Sequence, residues 1–118
     1  PSYIDFFEQV LADTTDPAEI EKKWEKQFAE DEWYKHLYRT SYAYHGAHPF
    51  YMWYWGAHAL QHLGRVIVVG GDTAAVRRMG FQPASTLQDA LEMSTDVVGP
   101  QPTITHLKNP PILMADVT

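Results

Sequence analysis

His58 and His62 stand four residues apart in a stretch with helical patterning, so both imidazoles can face one way and chelate a divalent metal. A zinc-peptidase helix needs glutamate directly after the first histidine, and this chain has Ala59. The same spacing also suits two plain surface histidines. His45-Gly46-Ala47-His48, just before that stretch, offers further imidazoles. Gly70-Gly71-Asp72 lies between strand-like and helix-like residues, where phosphates bind in α/β folds. The dinucleotide fingerprint needs three glycines at set spacing and a later acid, and the spacing here fails. Asp72 repels phosphate but makes a good helix cap. Pro49-Phe50-Tyr51-Met52-Trp53-Tyr54-Trp55 cannot bury every side without a neighbour. Such rings suit the wall of a small-ligand pocket, a domain interface, or a core formed with Trp24, Phe28 and Trp33. No nucleophile–base pair or close carboxylate pair is visible, so no catalytic residue is assigned.

Composition narrows the classes. The chain has 118 residues, enough for one domain, and its hydrophobic fraction of 45% supports a core. Ten of the sixteen aromatics lie between Trp33 and Trp55, and five of the six histidines between His36 and His62, which marks the region to explain. Residues 1–32 carry ten acids against three lysines, so the net charge of −6 belongs to the first quarter. That excess reads mainly as the solvated faces of front helices. Nine scattered Lys and Arg argue against nucleic acid as a partner. No apolar run reaches the ~18 residues that cross a bilayer, and no signal peptide opens the chain, so a cytoplasmic protein is the expectation. Without cysteine there is no disulfide and no thiol chemistry. A start on Pro1 rather than Met suggests processing or a piece of something longer.

The elements that must position these residues fall into two halves. Ile4, Phe6, Phe7, Val10 and Leu11 predict a short helix, capped by Ser2. Asp16-Pro17 restarts the pattern, with Glu19 completing a capping box and Ile20, Trp24 and Phe28 forming a stripe. Trp33, Tyr34, Leu37 and Tyr38 fit another turn or two, residues 41–46 a loop, and His48-Pro49 a strong helix ending at Gly64. Val66–Val69 reads as a buried strand, Thr73–Met79 as a helix stopped by Gly80. Ser85 and Gln88 form a second capping box, opening a helix that runs to Asp96. Thr103-Ile104-Thr105 and Ile112-Leu113-Met114-Ala115 read as further strands. The expected fold is α/β: a helical N-terminal half, then a small, mostly parallel sheet flanked by helices, in one domain spanning 1–118.

The order of features resembles the C-terminal part of the lactate racemase family, enzymes that use a nickel-pincer nucleotide. The matching pieces are Asp16-Pro17 opening a helix and Pro49…Trp53 at the head of a long one. That helix runs through Ala57-His58-Ala59-Leu60 into Val66-Ile67-Val68-Val69. Met79-Gly80-Phe81, Ala84-Ser85-Thr86-Leu87-Gln88-Asp89-Ala90-Leu91, the Ile104 strand and Ile112-Leu113 complete it. The resemblance implies a two-domain protein with its active site in the cleft. The nickel-ligating histidines and the cofactor-bonding lysine would belong to the N-terminal domain, which is the implied partner. The implied chemistry is reversible hydride removal from a small 2-hydroxy acid, with return to the other face. This piece alone would be inert. The resemblance places Trp53 against substrate, with Met52 and Trp55 close in register, Tyr51 beside them, and His45 and His48 as polar neighbours. From another class, the rings could instead dock a partner domain or a second copy in a non-catalytic assembly module.

Overall fold

The computed structural model describes residues 1–108. Its first helix, α1, runs through Ser2–Asp5, Phe6–Val10 and Leu11–Asp13, the middle stretch being a π-type turn. Helix α2 repeats that plan through Pro17–Ile20, Glu21–Glu25 and Lys26–Glu30. Glu32–Thr40 forms α3, and His48–Leu60 forms the long α4. Ile67–Val69 (β1), Thr73–Arg78 (α5), Gln82–Ala84 (β2) and Leu87–Val98 (α6) follow. The architecture is α/β: a helical N-terminal half and a small parallel sheet flanked by helices. Strands β1 and β2 pair in parallel with Ile67 opposite Gln82 and Val69 opposite Ala84. The strand–helix–strand connection is long enough for the crossover that a parallel pair needs.

The helix starts follow cap chemistry. Asp16 Oδ1 accepts from the amides of Ala18 and Glu19, at 2.9 and 3.0 Å, and Pro17 needs no amide partner in the first turn. Asp31 does the same for Trp33 and Tyr34 at α3. Three cap expectations change. Ser2 lies inside α1 and is buried, with Pro1 at the cap position. Glu19 closes no box, because the Asp16 amide donates to Thr14 Oγ1 instead. The box at α6 uses Thr86 and Asp89, one residue beyond Ser85 and Gln88; a carboxylate is the stronger acceptor for the Thr86 amide.

Other boundaries also shift. Helix α4 stops at Leu60, four residues before Gly64, where His62 and Leu63 donate to the carbonyls of Ala59 and Leu60 and tighten the last turn. Residues 103–105 are irregular rather than a strand, and Ile104 is exposed. Ile112–Ala115 lies outside the described residues. Strand β2 is the element the sequence pattern hides, because it contains Pro83. The Gln82 amide donates to Val66 and the Ala84 carbonyl accepts from Gly70, so both face β1. Alternation then turns Pro83, which has no amide proton, away from the ladder.

The core sits in the helical half, where Phe6, Val10 and Leu11 of α1, Ile20 and Phe28 of α2, and Phe50, Trp53 and Ala57 of α4 pack together. Phe50 is fully buried and meets Phe6 and Phe28 edge-on at 4.8 and 5.0 Å. The loop from α3 reaches α4 by passing against α2 at Gly46, where a Cβ would fall 1.9 Å from the Phe28 carbonyl oxygen. Only glycine fits there.

Candidate functional site

Helix α4 is apolar on two sides, and only one of them is covered. Residues 49, 50, 53 and 57 fall on one face at helical spacing and are buried. On the opposite face Tyr51, Met52 and Trp55 are 53%, 45% and 73% exposed. A helix apolar all round belongs inside a larger body. Here half of that requirement is met by the chain itself.

At the N-terminal end of α4 three rings from separate segments meet. The Tyr3 hydroxyl lies 2.6 Å from His48 Nδ1, and Tyr44 stacks on the His48 ring at 4.3 Å. Tyr44 also meets Tyr3 edge-on at 5.5 Å. Burial, and then the neighbouring Tyr44 phenol, push the Tyr3 hydroxyl above the ordinary phenol range. His45 stands apart from this group. Its Nδ1 accepts the Ala47 amide at 3.2 Å and its ring meets Tyr38 edge-on, so it shapes the turn into α4. Tyr42, in the same loop, takes the left-handed backbone conformation (φ 53°) and is wholly exposed.

Beside this cluster lies a cavity of about 270 Å³ whose wall includes Tyr3, Phe6, Phe7, Leu11, Met52 and Trp53. Trp53 belongs at once to the core and to this wall. Its indole Nε1 donates to the Thr15 carbonyl at 3.2 Å, so the ring offers a ligand an apolar surface and no donor. Tyr51 and Trp55 stand outside the cavity. Thus the structure gathers Trp53, Met52 and His48 near one hollow, and leaves Tyr51, Trp55 and His45 elsewhere. Tyr3 was not singled out from the sequence, because nothing in a tyrosine 45 residues away signals contact with His48.

The acidic front does more than face water. Asp5 accepts from the Tyr34 hydroxyl at 2.6 Å, Asp13 from Trp24 Nε1 at 2.9 Å, and Glu25 from the Tyr54 hydroxyl at 2.8 Å. Each carboxylate satisfies the polar tip of a ring whose body packs against the core. Burial, reinforced by these carboxylates, drives the Tyr34 and Tyr54 hydroxyls well above the usual phenol range.

The remaining candidates separate in character. Asp72 Oδ1 accepts from the Ala75 amide at 2.8 Å, so it caps α5. His58 and His62 are both exposed, with ring centroids 5.9 Å apart. Among the described residues no three His, Asp or Glu side chains are grouped to hold a metal, and no helix is long and apolar enough to cross a membrane. No family model matches this chain, and neither a curated protein nor a solved structure matches it.

Proposed function

We propose that this chain is the C-terminal domain of a lactate-racemase-like protein, forming one wall of an interdomain site where a 2-hydroxy acid is racemised or epimerised by hydride transfer. The observation that carries the reading is the uncovered apolar face of α4, continuous with the Tyr3–Tyr44–His48 cluster and the adjoining cavity. An N-terminal domain of the same polypeptide would cover that face and enclose substrate against it. In this arrangement the Tyr3 hydroxyl and His48 hydrogen-bond to the polar end of the substrate. Met52 and the Trp53 ring exclude water beside it.

The resemblance assigns nickel and the bond to the nickel-pincer nucleotide to the N-terminal domain, so the share proposed for this chain is binding and orientation.

Trp55 favours a second reading, a non-catalytic docking module, since it is the most exposed large side chain of α4 and lies outside the cavity. Racemisation of 2-hydroxy acids by the full-length parent protein, followed by polarimetry, separates the two. Tyr3→Phe and Met52→Ala each lower kcat/KM about tenfold or more, a loss of ~1.4 kcal/mol at the transition state, while the melting temperature holds. Unchanged kinetics in both variants would remove the cavity from the active site. Lost domain association on Trp55→Ala, with no activity in any variant, supports the docking module. Trp53→Ala is a poor probe because it opens the core, at a cost of roughly 3–5 kcal/mol.

A further inference from the structure

We propose that His58 and His62 form a two-histidine site for a borderline divalent cation, Zn²⁺ or Cu²⁺, on the outer face at the end of α4, with water completing the coordination. The inference uses neither the cavity nor the nickel cofactor; the pair continues the Tyr51–Trp55 row of α4 beyond its apolar patch and is open in this chain, so a covering domain of the kind proposed above must leave it clear. His58 is in the last turn of α4 and His62 is two residues past its end, in the tightened turn where its amide donates to the Ala59 carbonyl, and both rings are exposed. Their centroids are 5.9 Å apart. Two imidazoles bound to one ion through bonds of about 2.0–2.1 Å have centres roughly 5 Å apart, so closing the site takes a small side-chain rotation on an open surface.

Availability distinguishes this pair from the other histidines of the region. His45 Nδ1 accepts a backbone amide and His48 Nδ1 is engaged by Tyr3, whereas His58 and His62 make no side-chain hydrogen bond among the described residues. The local field also favours a cation. The site is at the C-terminal end of α4, where carbonyl dipoles place partial negative charge. Tyr54 and Gln61, on an adjoining row of the same helix, share a groove with Asp16 and Glu21 of the acidic front.

Titration of the full chain with zinc chloride, read from imidazole signals by NMR, tests the site. Saturable one-to-one binding is expected at the His58 and His62 rings, with Cu²⁺ binding more tightly than Zn²⁺. His58→Ala and His62→Ala each weaken binding about tenfold or more, because a lone imidazole loses the chelate, and circular dichroism stays unchanged because both side chains are exposed. His45→Ala leaves binding intact. A midpoint within twofold of the parent in either of the first two variants overturns the proposal, as does the absence of saturable binding.

Discussion

The helical front and the strand-containing back of this chain are stabilised differently. In the front, three helices bury Phe6, Val10, Leu11, Ile20, Phe28, Phe50, Trp53 and Ala57 against one another, and carboxylates hold the polar tips of the surrounding rings. In the back, the described residues bury only Val76, Ala84 and Ala90, and β1 has no fully covered side chain. Parallel strands normally lie covered on both faces. A two-stranded pair with so little around it relies on its caps, its crossover and its attachment to the front. Cohesion is therefore concentrated where the rings are, and the same rings supply the uncovered face of α4. The candidate site stands on the stiff half of the molecule, where a surface can be held in position.

The largest test of that contrast is a pair of core truncations. Phe50→Ala should cost about 3–5 kcal/mol in urea unfolding, and Val76→Ala roughly 1.5 kcal/mol for its two lost methyl groups. Equal costs would break the comparison, by showing that the back is as tightly packed as the front. A smaller effect isolates the ring–carboxylate links. Tyr54→Phe removes the bond to Glu25 and should cost about 1 kcal/mol near neutral pH. The folded Tyr54 hydroxyl ionises above the unfolded one, so the link is fully present below about pH 10. Above that the unfolded chain releases its proton first, and stability falls until the folded group ionises too. Stability measured from pH 8 to 11 should decline more gently in the Tyr54→Phe variant. An identical slope would mean that the phenol is not held by the fold.

The smallest effect belongs to Asp13, which is open to solvent. Hydrogen bonds from Lys23 and Trp24 hold its carboxyl below the ordinary carboxylate range. Its contribution is thus present above the usual aspartate value and lost as pH falls through the lower folded one. Asp13→Asn should slightly flatten acid unfolding, and a steeper acid limb would contradict the link.

Much of the front was legible from local pattern. Ile20, Trp24 and Phe28 recur at helical spacing, and Asp16-Pro17 is a start signal whose chemistry operates within four residues. The back was legible in part where its strand was β-branched: Ile67–Val69 is a strand, but not the buried one expected over Val66–Val69, since two of its side chains are half-covered and Val69 is exposed. It failed at Gln82-Pro83-Ala84, because only the partner strand reveals that Pro83 faces away from the ladder. The Thr103–Thr105 expectation failed because β-branched composition by itself does not make a strand: among the described residues this segment pairs with neither β1 nor β2. At the candidate site the ring concentration was plain, yet which rings face water was not. Trp53 and Trp55 differ by two positions in the same run, and one is in the core while the other is open to solvent.

By itself, then, the sequence determined the helix starts at Asp16-Pro17 and Asp72, the apolar stripes and the place of the first strand, because caps and periodicity act over three or four residues. It also determined that rings and imidazoles would crowd one segment. Tertiary structure alone decided that Tyr3 would meet His48, that acids of the first two helices would receive the hydroxyls and indole of distant rings, and that half of α4 would stay uncovered. Those outcomes depend on how helices pack against each other across tens of residues, and no local spacing encodes that.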